Sequence, residues 1–531
     1  MRHSTQEILD SMSLEEKVGQ TIFPAFPATY AAREAILDAV ERYWIGGVLL
    51  RAGSLMDAAK LIGSMPTPLP RRPIFAADIE RGVGERLAGG ITFPANLGIG
   101  AAGDEGLARV HGEVTAAEAR SVGIQLILAP VLDLFGVPES PIVGTRSYGD
   151  SAEDVARFGE AFIRGAASRG GATCAKHFPG HGFAAEDSHS TLPVIERTAE
   201  KMRSQDLVPF GRAIRAGVDA IMVGHLHCPA LDDRPATISP RVIRDLLRQE
   251  MGFGGLVVTD ALLMGGIASI MTEEDAAVQA LGAGADVLLC PTHPAPIHAA
   301  LMEAVKSGDV PRERLEEAVK RILILKSRQP SGALDSLPAP EGGEGRPYDA
   351  VESGRDAAKS LAEASVCLLR NEGDAIPFEK GKRVLIVTVP DRPDPFAAEA
   401  FIDTVSRCSR VTVQHLLPGW RRSDRERVEE MARDFERVIW APVGKPAAWN
   451  SSARAGLGGE AMPGGHAVAL ALGSPGLLEG APRTAAEMCT FSDAAVSQEA
   501  AARAIFGEIP VRGKLPIDCA AGRRGDGLQL G

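Results

Sequence analysis

The stretch AKHFPGHGFAAEDSHSTLP, from Ala175 to Pro193, gathers Lys176, His177, His181, Glu186, Asp187 and His189 in a chain with 11 histidines overall. Such a concentration of groups that titrate or bind metals near neutrality supports two kinds of chemistry. One is a metal site built from His177, His181 and His189 with Asp187. Pro179 and Gly180 interrupt any helix between the first two histidines, so they cannot form the i, i+4 helical pair of a zinc protease. The other is proton transfer from a glycine-punctuated loop. In Asp187-Ser188-His189 a carboxylate and an imidazole stand two residues apart, on the same side of an extended backbone. There the carboxylate would fix the imidazole tautomer and balance its charge. The residues alone leave both readings open.

Other ionisable groups close short apolar runs. Asp78 ends PIFAAD, Lys176 and His177 follow ATCA, His225 follows DAIMVG, and Asp260 ends GGLVVTD. Polar groups at the ends of buried strands are costly without a purpose. Any one of them alone is as readily a satisfied structural group, but four on one rim point to a site.

The elements that must position these groups are themselves legible. Eight short apolar runs lie in the first 328 residues: 21–24, 45–50, 73–78, 123–129, 172–176, 219–224, 254–260 and 285–290. They are apolar throughout, as strands buried on both faces of a parallel sheet are. Helix-like stretches at 104–121, 150–169, 201–216 and 311–327 separate or follow them. Eight β/α units predict an N-terminal (β/α)8 TIM barrel over 1–328, with its active site at the C-terminal strand ends. Residues 330–349 are rich in Pro, Gly and acid, and 329–357 reads as a linker. Strand-like runs at 365–369, 383–389, 411–417, 437–443 and 466–473, with helical stretches at 396–408, 424–435 and 493–506, predict a C-terminal α/β sandwich over 358–531. No G-x-G-x-x-G follows its first strand, so a dinucleotide role is unsupported.

Composition narrows the partners. A net charge of −12 disfavours nucleic acid. No apolar run is long enough to span a bilayer, and no signal peptide is legible at the start. The seven cysteines are scattered and never form C-x-x-C, which fits reduced thiols in the cytoplasm.

K-H-F-P-G-H-G at 176–182 followed by D-S-H at 187–189 strongly resembles glycoside hydrolase family 3, in its β-N-acetylglucosaminidase branch. Further matches are Asp78-Ile-Glu-Arg-Gly-Val-Gly-Glu-Arg86, Ala129-Pro-Val-Leu-Asp133, Gly144-Thr-Arg-Ser-Tyr-Gly-Asp150 and Val258-Thr-Asp-Ala-Leu-Leu-Met264. In the second domain, Leu368-Leu-Arg-Asn-Glu-Gly373 and Leu515-Pro516 after Phe506-Gly-Glu508 match as well. The resemblance spans nearly the whole chain. It implies a retaining mechanism with Asp260 as nucleophile and His189, oriented by Asp187, as acid/base, with neither a metal nor another cofactor. It also implies that Asp78, Arg86, Arg146, Lys176 and His177 hold an N-acetylglucosaminide from peptidoglycan or chitin. For Arg86 and Arg146 the plain alternative is a structural salt bridge. His181 and His225 are assigned supporting roles, and Glu186 a solvated one. Val83 stands where the family often has Arg, and Leu134-Phe135 where it often has an Asn-containing run, which puts the aglycone preference in question. A neutral histidine base does not repel an anionic acceptor, so phosphorolysis remains an alternative to hydrolysis. A glucosidase or xylosidase is the other alternative, although these commonly draw a Glu acid/base from the second domain.

Overall fold

The computed structural model describes residues 4–66, 68–137, 140–328, 347–444, 462 and 466–531. The chain has a mixed α/β fold that divides into two compact units. One comprises residues 1–91, 109–133 and 159–353; the other comprises 92–108, 134–158 and 354–531. The division is therefore interleaved, and two early segments belong with the C-terminal residues.

The first unit is built on parallel strands: β1 (Ile22–Phe23), β2 (Ala25–Ala28), β3 (Gly47–Ser54), β4 (Ile74–Ala77), β5 (Leu87–Ala88), β6 (Leu126–Ile127), β7 (Ala172–Phe178), β8 (Ala220–Val223), β9 (Leu256–Thr259) and β10 (Leu288–Leu289). All eight runs read from the sequence contain a strand. β2 and β5 are additions, β2 being separated from β1 by Pro24, which lacks the N–H a ladder needs. Pairing runs β2-β3-β4-β6-β7-β8-β9, with β5 against β3. The Thr259 N–H then donates to Val287 O, and the Leu288 N–H to Thr21 O, while β10 pairs with β1 in parallel. The hydrogen-bonded path thus returns to the segment where it began.

Alternate residues of these strands share one core: Ile74 and Ala76, Leu126 and Leu128, Ala172 and Cys174, Ala220 and Met222, Leu256 and Val258, Val287 and Leu289. Side chains on a strand repeat their direction every second residue. The next positions on that face are Asp78, Lys176 and Asp260, each at the C-terminal end of its strand. At the opposite strand ends Lys326 is buried, donating from Nζ to Gln20 Oε1 at 2.6 Å and to Pro70 O at 2.9 Å. Burial pushes its pKa down to about 7.

The second unit holds β11 (Cys367–Asn371), β12 (Arg383–Pro390), β13 (Arg410–His415), β14 (Arg437–Val443), β15 (Ala467–Ala471) and β16 (Ala486–Cys489). Their order is β11-β16-β15-β14-β12-β13, parallel except for β11 against β16. Val384, Ile386, Ile439 and Val468 pack on one face with Phe401 and Ile505 from the helices Glu399–Cys408 and Ala495–Ile505. Leu385, Val387, Trp440 and Ala469 pack on the other with Val428 from Arg422–Ala432, together with Leu97, Ala101 and Phe135 from the early segments. Covering both faces is what makes β12, β14 and β15 apolar along most of their length. Most of the expected linker, 329–346, lies outside the described residues; from Pro347 the chain is helical to Ser365.

Candidate active site

Lys176 lies near the end of β7 and is 2% exposed. Its Nζ bridges Asp78 Oδ1 at 2.8 Å and Glu80 Oε1 at 2.7 Å. A buried ammonium between two carboxylates satisfies the rule that interior charges are paired. Arg86 stays exposed, and its Nε donates to the Asp78 backbone oxygen at 3.0 Å. That bond holds the turn that follows β4.

His177 is fixed by Asp133, a buried carboxylate. Oδ2 accepts from His177 Nδ1 at 2.7 Å, while Oδ1 accepts from the backbone N–H groups of His177 at 3.1 Å and His181 at 2.7 Å. Burial alone would raise the Asp133 pKa, but the charge and hydrogen bonds of His177 and His181 outweigh it and hold the carboxyl below its usual value. An ionised carboxylate can only accept, so Nδ1 of His177 carries the proton. Asp133 appeared in the sequence only as the end of Ala129-Pro-Val-Leu-Asp; its partners lie 44 and 48 residues further on.

Asp260 directly follows β9. Its backbone N–H donates to Val223 O at 3.0 Å, and its Oδ1 accepts from the Ala261 N–H at 2.8 Å. Burial would raise its pKa; the charges of His177 and His225, the Ala261 bond and the charge of Lys176 more than compensate and lower it. The carboxylate is therefore ionised at neutral pH, the state a nucleophile needs. His225 is fully buried, with Nδ1 2.8 Å from Thr237 Oγ1 and Nε2 3.0 Å from Ala261 O. A carbonyl only accepts, so Nε2 bears the hydrogen, and burial favours the neutral ring.

The Asp187–His189 pair forms as its spacing suggested. Asp187 Oδ1 lies 2.9 Å from His189 Nδ1 and accepts from the His189 N–H at 2.8 Å. Both side chains are open to solvent, at 42% and 63%. With Nδ1 committed to the carboxylate, Nε2 is left to exchange a proton. His181 points elsewhere: its Nε2 is 2.9 Å from Ser188 Oγ, and burial lowers its pKa to about 4. Among the described residues no group of three or more His, Cys, Asp or Glu is placed to hold a metal ion. Arg146 belongs to the other unit, where its Nη1 donates to Ile142 O at 3.0 Å and its carbonyl accepts from Asn96 Nδ2 at 2.7 Å.

The chain offers an ionised carboxylate at a strand end and, on a separate loop, a histidine whose Nδ1 is committed to a carboxylate, the parts that nucleophilic substitution with proton transfer requires. Residues 13–325 match the glycosyl hydrolase family 3 N-terminal domain. The chain belongs to glycoside hydrolase family 3. This family 3 chain is 30% identical over 418 residues to a β-N-acetylglucosaminidase/β-glucosidase of Cellulomonas fimi, covering 75% of this chain and 73% of that one. It is 31% identical over 409 residues to β-hexosaminidase A of Pseudoalteromonas piscicida, covering 70% and 67%. Among solved structures, a family 3 β-N-acetylglucosaminidase from Paenibacillus sp. str. FPU-7 superposes with a TM-score of 0.83 at 30% identity, covering 96% of this chain and 99% of that one. As a glycoside hydrolase it acts on a carbohydrate, and among its described residues no helix is long and apolar enough to cross a membrane.

Proposed function

We propose that this hydrolase is a retaining β-N-acetylglucosaminidase, removing terminal β-linked N-acetylglucosamine from peptidoglycan- or chitin-derived fragments. We read the returning ladder of its first unit as a closed (β/α)8 barrel, whose C-terminal rim carries the chemistry. The observation that carries the proposal is the Asp187–His189 pair, whose contact through Nδ1 leaves Nε2 for proton transfer. The names of the relatives above agree with it. All seven cysteines are free thiols, which supports the cytoplasm as its compartment.

In the first step an Asp260 carboxylate oxygen attacks the anomeric carbon. The glycosidic C–O bond breaks, and the His189 Nε2 proton goes to the leaving oxygen. In the second step water attacks the same carbon, its proton passes to Nε2, and the ester bond to Asp260 breaks. The sugar hydroxyls and acetamido group would be held by Asp78, Arg86, Lys176 and His177. A cleft of about 340 Å³, lined by Phe26, Pro27, Arg51, Leu263 and Pro291, opens beside the Asp260 segment and would take the aglycone.

Hydrolysis of 4-nitrophenyl N-acetyl-β-glucosaminide, with and without phosphate, tests this. Wild type should release nitrophenol and N-acetylglucosamine, and Asp260→Ala should fall by several orders of magnitude. Turnover of the glucoside instead would refute the sugar assignment. A phosphate-dependent sugar 1-phosphate would replace hydrolysis by phosphorolysis.

A further inference from the structure

Asp187 and His189 project into solvent, so packing contributes little to where the imidazole stands. The backbone beneath them is held more firmly. Ser188 between them is 1% exposed, and its hydroxyl meets His181 Nε2. The Ser188 carbonyl accepts from the Gly266 N–H at 2.9 Å, and the His189 carbonyl from the Gly265 N–H at 3.0 Å. Gly265 and Gly266 open a one-turn helix, Gly265–Ala268, so their N–H groups have no partner within it. The loop supplies the missing acceptors.

This approach is possible only for glycine. A Cβ on Gly265 would lie 2.6 Å from Ser190 O and 2.7 Å from His189 O; one on Gly266 would lie 2.8 Å from Ser188 O and 3.1 Å from His225 Cβ. Neither glycine has a positive φ. The close approach, and not a backbone conformation barred to other residues, is what requires them. The same short segment begins at the proposed nucleophile. The Ala261 N–H donates to Asp260, and the Met264 N–H to Ala261 O at 2.9 Å. Five residues beyond Asp260, the chain grips the loop that carries His189.

We propose that Gly265 and Gly266 are positioning residues, a backbone latch that sets the acid/base His189 against the nucleophile Asp260. The proposal rests on the acid/base reading of the Asp187–His189 pair and deepens it. Gly265→Ala is the sharper probe, since the three nearest atoms its methyl meets all belong to the loop. Those atoms are backbone, so the loop must shift and the melting temperature should fall modestly; the split between substrates, not stability, carries the test.

The test compares kcat/KM, which reports the first chemical step, on two N-acetyl-β-glucosaminides. The 2,4-dinitrophenyl glycoside leaves without a proton, whereas N,N′-diacetylchitobiose needs one. A displacement of an ångström or less in a catalytic group costs on the order of 10²-fold. Gly265→Ala should therefore lose about 10²-fold on chitobiose and under about fivefold on the dinitrophenyl substrate. Azide needs no base, so it should raise kcat on the dinitrophenyl substrate and yield the glycosyl azide. His189→Ala should show the same split, enlarged. Equal losses on both substrates, or wild-type rates on both, in Gly265→Ala while His189→Ala shows the split would overturn the latch alone. No split in His189→Ala would overturn the acid/base reading and the latch with it.

Discussion

Replacing Asp133 by Asn exchanges one carboxylate oxygen for an amide NH2 and removes a buried charge. Oδ1 can stay in place and keep the backbone N–H groups of His177 and His181, now 3.1 and 2.7 Å away. At the other position a donor would face His177 Nδ1 across the present 2.7 Å, so the imidazole must move its proton to Nε2. Hydrogen bonds to charged groups contribute about 1 kcal/mol more than neutral ones. Three such bonds give a stability loss of roughly 3 kcal/mol, read as an earlier urea transition. At the site, His177 would present a donor where it now presents an acceptor. One mispaired hydrogen bond to the sugar is worth about 1.5–3 kcal/mol, or roughly 10- to 150-fold in kcat/KM. The assay is kcat/KM on the nitrophenyl N-acetylglucosaminide for Asp133→Asn, His177→Ala and the double variant. Because Asp133 acts through His177, the double variant should be little worse than His177→Ala alone. Additive losses, or an Asp133→Asn within twofold of wild type, would refute the claim that this carboxylate sets the His177 tautomer.

Three further outcomes follow from the geometry. Lys176→Met leaves Asp78 and Glu80 without their shared cation, and should cost about 3–5 kcal/mol of stability together with most activity; adding Glu80→Gln should recover part of the stability in denaturant titrations and none of the activity. Lys326 loses its proton at about 7 in the folded chain, whereas an exposed lysine holds it to about 10.4. Between those values the unfolded chain binds more protons, so stability should rise with pH by up to about 1.4 kcal/mol per unit, and Lys326→Met should flatten that slope in urea midpoints taken at pH 7 and 9. Thr237→Val removes the hydroxyl beside His225 Nδ1 and should lower kcat several-fold through the Ala261–Asp260 backbone with little change in KM; a pure KM effect would contradict that route.

What the sequence made legible depended on how local each signal was. The runs ending in Asp78, Lys176 and Asp260 announce themselves because a strand buried on both faces is apolar along its length, and the period of two then places all three side chains on one face. The Asp187–His189 pair needed only two residues' separation. Asp133 and Glu80 were harder to assign because their roles are set by partners brought near by folding: His177 and His181 for one, Lys176 for the other. Strand β16, AEMC, was missed because it is only four residues long and carries Glu487, which pairs with Arg370. The helix Pro347–Ser365 begins inside a stretch read as linker, since Pro and Gly composition marks a break without marking where it ends. The interleaving of the two units left no trace in composition at all.

That interleaving has a consequence for how the protein is made. Leu97, Ala101 and Phe135 complete a core whose other members, from Cys367 to Ile517, lie far along the chain. A ribosome adding roughly 5–20 residues per second needs on the order of 20–80 s to travel from one to the other. Through that interval the first unit can assemble its ladder, while two apolar segments threaded through its sequence wait for the sheet that will cover them. Folding order and chain order are therefore decoupled in this enzyme. Its early apolar side chains lack their packing partners until the second unit's sheet is made, and cutting the gene after the first unit's last helix should leave them uncovered.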